Sequence, residues 1–365
     1  MNIAVYISGH GFGHLSQVAP VLKQIHRLKP DCKFLIRCTL PAQEIRSQLH
    51  MQPELIFTLQ NKAVDMGVMQ INAVEEDRDG SIQRMRAWVD DFNAHIQQEI
   101  TWLRAFQASL VISDISPLAF PAAKALNIPA IGLATLDWHS IYSHWLDADD
   151  PIIRTLATAY SACDLLLTPP MAMDMPVFPI QQQIPLIAAQ PINKTAPLTL
   201  SHHTGNKALV LFGGCGNPPY DIDALASMPD WLFLIPDIAP HNNQHSDQRS
   251  NMPENIYPIQ FSADLRPVDA MQWVDVVLCK PGYGVLSECW ATATPIAWLE
   301  RPDFPEFPML KTWLDTLFPA SGMNRTDFQH GHWQAALDKA INHKRNFPAL
   351  QHDGAAIAAD IMLKG

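Results

Sequence analysis

The sequence predicts an α/β protein made of two Rossmann-like domains, each a parallel sheet flanked by helices. Three observations carry this. Short apolar runs alternate with amphipathic helical stretches, a glycine-rich turn follows the first apolar run directly, and a similar turn follows a new apolar run roughly 200 residues later. At 365 residues the chain is also too long for one typical core.

The first unit is Ile3 to Ser16, IAVYISGHGFGHLS, where a strand-like run stops in three alternating glycines and two histidines. Leu15, Val18, Val21, Leu22, Ile25 and Leu28 then follow at helical spacing, so the unit reads as strand, glycine turn, helix. A second strand (Lys33 to Cys38), a helix (Pro41 to Leu49) and a third strand near Leu55 to Thr58 continue the alternation. The polar stretch Gln60 to Gly80 precedes one long amphipathic helix, Ser81 to Phe106. A buried strand, Leu110 to Ser113, runs into Asp114; a helix (Pro117 to Leu126) and a strand (Ala130 to Leu133) follow. Pro169 to Gly205 is rich in proline and polar residues and reads as the linker, which gives domains of residues 1–190 and 191–365. The second series has strands at Ala208 to Phe212, Trp231 to Pro236, Ile256 to Phe261, Val274 to Cys279 and Pro295 to Leu299, with a helix at Val285 to Ala293. Trp333 to Asn342 and Gly354 to Leu363 read as closing helices, the last a candidate to pack back on the N-terminal domain. Two such halves suggest the GT-B architecture, in which the sheets face each other across a cleft.

Bulk properties narrow the function classes. A net charge of −11 argues against a nucleic-acid surface, which needs clustered Lys and Arg. No apolar run reaches the ~18 residues of a membrane span, and the start lacks the basic region of a signal peptide, so a cytoplasmic protein is expected. A weak peripheral membrane contact stays open. The six cysteines show no C-x-x-C pairing and read as small buried hydrophobes of a reduced compartment. His202, His203, His241 and His245 lack zinc spacing, and the acidic run Asp147, Asp149, Asp150 reads as a solvated helix start.

The glycine turn is where chemistry is expected, because a helix N-terminus presents backbone N–H groups to anions. Taken by itself it fits a tight turn, a dinucleotide site, a phosphate loop or a glycosyltransferase turn. The G-x-G-x-x-G fingerprint is absent, the next strand ends in Arg37, Cys38 and Thr39 where a dinucleotide site needs an acidic residue, and G-x-x-x-x-G-K-[ST] is missing.

The segment KPGYGVLSECWATATPIAWLERPDFPEF, Lys280 to Phe307, resembles the donor-binding segment of GT-B glycosyltransferases, and most closely the glycosyltransferase-like N-terminal domain of L-arabinokinases. GHGFGH, VDMGVMQ (Val64 to Gln70), SDISPLAFPAAKALNIPAIG (Ser113 to Gly132) and DWHSIY (Asp137 to Tyr142) resemble the same group. More distantly the pattern is similar to the lipid II N-acetylglucosaminyltransferase and to UDP-glycosyltransferases. The kinase half of arabinokinases has no counterpart in these residues, so sugar-kinase activity is not expected.

The resemblance implies a metal-independent enzyme with no cofactor beyond a nucleotide-sugar co-substrate, which is UDP-linked in that group, and an acceptor that it does not identify. It makes His14 the base and Asp114 the residue that orients it, with His10 a second candidate four positions earlier. A helix-start histidine satisfied by backbone is the competing structural reading of His14. Glu288, expected in the first helical turn, would hold the ribose hydroxyls. Gly282, Tyr283 and Gly284 would meet the diphosphate with Lys280 beside them; Gly11, Gly13, Gly213 and Gly214 would line the nucleotide, Phe261 the base, and Asp303 and Glu306 the donor sugar. Inversion is expected because Ile296 stands where an E-x7-E pair would place its second glutamate. A non-hydrolysing sugar-nucleotide epimerase and an inactive nucleotide-sugar-binding relative remain as rival readings.

Overall fold

The computed structural model of the chain describes residues 1–49, 57–72, 74–192, 195–212, 220–236, 253–262, 264–318, 320–343, 347 and 351–364. They form two compact units: Met1–Met69 with Glu76–Ala188 and Leu350–Gly365, and Gln70–Glu75 with Ala189–Ala349.

The strands up to residue 183 are β1 (Asn2–Ile7), β2 (Lys33–Arg37) and β3 (Phe57–Gln60) of the first unit, a small ladder of β4 (Met69–Asn72) and β5 (Glu75–Asp77) whose residues 70–72 and 75 belong to the second unit, and β6 (Leu110–Asp114), β7 (Ala130–Leu133), β8 (Leu165–Thr168) and β9 (Gln181–Gln183) of the first unit. Seven of them make one parallel sheet in the order β3-β2-β1-β6-β7-β8-β9. β1 is buried along nearly all its length because helices cover both faces, as parallel sheets require, and so its sequence is continuously apolar. The helix Phe12–Leu28 buries Leu15, Val18, Val21, Leu22 and Ile25 in the core formed with Ile3, Val5, Ile7 and Ile112.

The final helix, Gly354–Lys364, adds Ala358, Ala359 and Met362 to that same core. Its start is tied down by two backbone bonds, Leu186 N–H to the Gln351 carbonyl (3.1 Å) and Gly354 N–H to the Leu186 carbonyl (3.2 Å).

The second unit carries β10 (Asn206–Leu211), β11 (Trp231–Pro236), β12 (Ile256–Ile259), β13 (Val276–Cys279), β14 (Ile296–Leu299) and β15 (Ala320–Met323). Its six-stranded parallel sheet runs β12-β11-β10-β13-β14-β15. Trp231, Phe233, Phe328 and Trp333 anchor one core, with the rings of Phe328 and Trp333 stacked 5.6 Å apart.

Three expectations are corrected. Ser81 to Phe106 is two helices, Arg78–Asp90 and Phe92–Phe106, because Asp91 leaves the helical region (φ −100°, ψ 12°). The segment expected as a linker instead supplies β9, whose three glutamines are exposed on the sheet edge; their polarity suits an edge and hides the strand from an apolar pattern. The strand placed near Leu55 to Thr58 is observed as Phe57–Gln60, with residues 50–56 outside the described part.

Beneath the first sheet Arg37 is buried and pairs with buried Glu99, its Nε donating to Oε2 at 2.9 Å. The Tyr6 hydroxyl donates to the same oxygen at 3.0 Å, and the Trp102 ring lies 5.6 Å from the guanidinium. Removing one partner from such a pair strands the other charge in the core. Glu99→Gln is expected to lower the first unit's stability by about 3 kcal/mol, read as a lower urea midpoint, whereas replacing Arg37 and Glu99 together with apolar residues is expected to cost less.

Candidate active site

The site in the first unit grows from one register. Ile7, the last residue of β1, sits beside Asp114, the last residue of β6, and Ser8 N–H donates to the Asp114 carbonyl at 2.7 Å. The chain then turns through Gly9, which packs so closely on Thr39 that a side chain there would clash. The helix that starts at Phe12 carries His14 back over the strand ends, and His14 Nδ1 lies 2.9 Å from Asp114 Oδ1. The Asp114 carboxyl is fully buried. Burial raises its pKa, and the nearby His14 pulls it back down.

His10 lies in the same turn but is engaged differently. Its Nδ1 accepts a hydrogen bond from Val68 N–H at 3.3 Å, which assigns the ring hydrogen of the neutral imidazole to Nε2. That leaves the neutral ring no lone pair for a substrate proton, so His10 is better suited to structure than to base catalysis. Gly67, at φ +57°, permits this packing: a Cβ there would come 3.0 Å from His10 Nδ1.

The wall behind both histidines is Trp138, fully buried, with its ring 5.3 Å from His10 and 6.1 Å from His14. Asp137 starts its short helix by accepting from Ser140 N–H, and burial raises the Asp137 pKa to about 6. The indole Nε1 donates to Asp65 Oδ2 at 3.0 Å. Trp138 and Asp65 both lie in blocks that carry the family resemblance, but an indole in an apolar stretch and one acid in a polar loop give no spacing signal of chemistry.

In the second unit Lys280 follows β13 directly, and Gly282 is the extended N-cap (φ −165°) of the helix Tyr283–Thr292. Tyr283 and Gly284 are buried in its first turn, and a Cβ on Gly282 would meet nothing within 4 Å. Glu288 sits in the second turn, one turn later than expected, because the helix begins at Tyr283. Burial raises its pKa to about 7, with Arg266 pulling it down and Asp269 pushing it up. Arg266 is itself buried, bonded to the Gln190 carbonyl at 2.6 Å and to Asp269 Oδ2 at 3.3 Å.

Phe261 is half-buried just past β12, Asp303 is exposed, and Glu306 is buried before the helix Phe307–Leu317. Gly11 and Gly13 line the open side of the first unit's turn, where added Cβ atoms would meet nothing within 4 Å. Gly213, Gly214, His241 and His245 lie outside the described residues. Of the acidic run, Asp150 caps the helix Pro151–Tyr160 through Ile152 N–H and pairs with Arg86 at 2.8 Å. Among the described residues no group of three His, Cys, Asp or Glu is placed to hold a metal ion.

Two parallel-sheet α/β units in this order define the GT-B fold of glycosyltransferases. The chain is similar in structure to the kitacinnamycin glycosyltransferase, over all of this chain and 98% of that one (TM-score 0.62, 14% identity). It is also similar to the glycosyltransferase VinC, solved in complex with dTDP (100% and 99% covered, TM-score 0.58, 13% identity), and to MurG of Acinetobacter baumannii (100% and 99%, TM-score 0.58, 12% identity). In sequence it is 25% identical to an L-arabinokinase of Arabidopsis thaliana over 98% of this chain, and it spans about a third (34%) of that relative's length. No family model matches the chain.

Because burial favours the neutral Glu288 acid, the folded chain binds this proton more tightly than the unfolded one. The stability linked to it is complete below pH about 4.5 and is lost as pH rises through about 7. Glu288→Gln is expected to flatten the fall in thermal transition temperature between those two pH values, measured without ligand.

Proposed function

We propose that this chain is an inverting glycosyltransferase that moves a sugar from a nucleoside-diphosphate donor to a hydroxyl acceptor. The observation that carries the reading is the His14–Asp114 contact of 2.9 Å at the carboxyl ends of neighbouring strands. With the Asp114 carboxylate accepting from Nδ1–H, the lone pair of His14 is left on Nε2, and the tautomer is the one a base requires. Nε2 takes the acceptor's hydroxyl proton as that oxygen bonds to the anomeric carbon. The bond from that carbon to the phosphate oxygen breaks with its electron pair, and the nucleoside diphosphate leaves from the opposite face.

The second unit supplies groups suited to that leaving group. Lys280 and the N-terminus of the helix beginning at Tyr283 favour a diphosphate, and Glu288 in its ionised form can accept two hydrogen bonds from a ribose diol. The dTDP in VinC supports a nucleotide donor for this fold, and the resemblance of the Lys280 to Phe307 segment favours a UDP-linked one.

His14→Ala is expected to lower kcat by about 10²- to 10⁴-fold with the donor and acceptor found by a thermal-shift screen of nucleotide sugars. Donor affinity, read by calorimetry, should change little. Turnover persisting near the wild-type rate would remove His14 from the role of base.

A further inference from the structure

We infer that Asp65 is a positioning residue for the proposed base: it holds the turn that carries His14 and adds a second buried negative charge beside that imidazole. The inference rests on the transferase reading for its catalytic meaning, but not for its physical content.

Asp65 follows β3 in a loop fixed at two points. Ser116 Oγ donates to the Val64 carbonyl at 2.5 Å, and the buried Tyr142 hydroxyl donates to the Gly67 carbonyl at 2.8 Å. The Asp65 side chain is 6% exposed. It accepts from Trp138 Nε1 at 3.0 Å, from the Ser8 hydroxyl and from Gly9 N–H. Three donors converging on one carboxyl favour its ionised form, against the burial that raises its pKa.

Two consequences follow for His14. The first is mechanical. Ser8 Oγ also accepts from His10 N–H at 3.2 Å, so Asp65 fastens the whole Ser8–His10 turn while Asp114 fastens its entry. Trp138, held by the same carboxylate, packs on both histidine rings.

The second is electrostatic. His14 acts on both Asp65 and Asp114 and favours their charged forms, and that coupling is reciprocal, so both carboxylates favour the imidazolium. The two acids repel each other, and the other titratable groups around this cluster are His10 in the turn, Cys38 after β2, Asp137 beside Trp138, Arg84 near Tyr142, and Tyr142 and Tyr160 on the neighbouring helices. Cys38 and Tyr160 respond to both acids and Tyr142 to Asp65; all three are held neutral by burial.

The test is the titration of His14 in the ligand-free protein, followed by the carbon-13 shift of labelled histidine. Asp65→Asn is expected to lower the His14 midpoint by about one pH unit, a tenfold change in its ionisation, with Asp65→Glu restoring most of it. A well-folded Asp65→Asn protein whose His14 titrates as in the wild type would overturn the inference. Should Asp65→Asn not fold, the wild-type Asp65 carboxyl carbon gives the answer, because it must inflect at the His14 midpoint and a flat trace would overturn the coupling. The same variants assayed for sugar transfer separate the two readings: coupled titration without transfer sinks the transferase and leaves Asp65 paired with His14, whereas transfer with an uncoupled His14 sinks Asp65 alone.

Discussion

A carboxylate taken out of water must find hydrogen-bond donors or a cation, or else keep its proton. In the first unit Glu99 is met by Arg37 and Tyr6, and Asp65 by Trp138, Ser8 and Gly9. Asp114 is met by His14, a group that itself gains and loses a proton near neutral pH in ordinary settings. In the second unit Asp269 meets Arg266 and Ile192 N–H, while Glu288 is shifted upward with burial dominating. Glu99 and Asp269 are fully matched from within and need no ligand. Asp114 and Glu288, whose state depends on a proton, are the ones to which the proposed chemistry is assigned.

Parallel pairing is what gathers these groups. All strands of the first sheet point the same way, so every turn into a helix opens on one edge, where ligands of this fold class bind. Residues 14 and 114 become neighbours because β1 lies beside β6, which sets Ile7 against Asp114. Asp65 and Trp138 arrive at the same edge through the connections after β3 and β7. The loop connections can therefore vary widely in length without displacing the strand ends they join.

This part of the architecture was readable because β1, β6 and the glycine turn obey local rules: continuous apolar runs for buried parallel strands, and glycines where the chain must reverse. The features that escaped have causes of another kind. β9 is three glutamines, held in place by pairing with β8, which no propensity records. The break at Asp91 sits inside a stretch of good helix formers. The hydrogen bond from Trp138 to Asp65 joins residues 73 apart, and nothing in either neighbourhood announces the other. His10 and His14 are alike in sequence; Val68 N–H, brought by the loop around Gly67, on the one and the Asp114 carboxyl on the other make them different.

The glycines themselves divide in a way that bears on ligand binding. Gly9 is demanded by Thr39 and Gly67 by its positive φ and the His10 ring, so packing explains both. Gly11 and Gly282 are the N-caps of helices of 17 and 10 residues, and both are extended, a conformation open to any residue. Neither helix has a side-chain cap. Among the described helices, those starting after Asp77, Asp137, Asp150, Asp221 and Asn324 have a side-chain cap, worth about 1 kcal/mol each over an uncapping residue such as alanine, while those starting after Asp91, Leu118, Pro197, Glu306 and Trp333 lack one as these two do. An acidic cap at Gly11 or Gly282 would occupy the first N–H groups and place a negative charge in the space above them. A glycine cap beside Lys280 in one unit, and beside the His14–Asp114 pair in the other, adds no negative charge there and suits a ligand that brings its own, as a nucleoside diphosphate does.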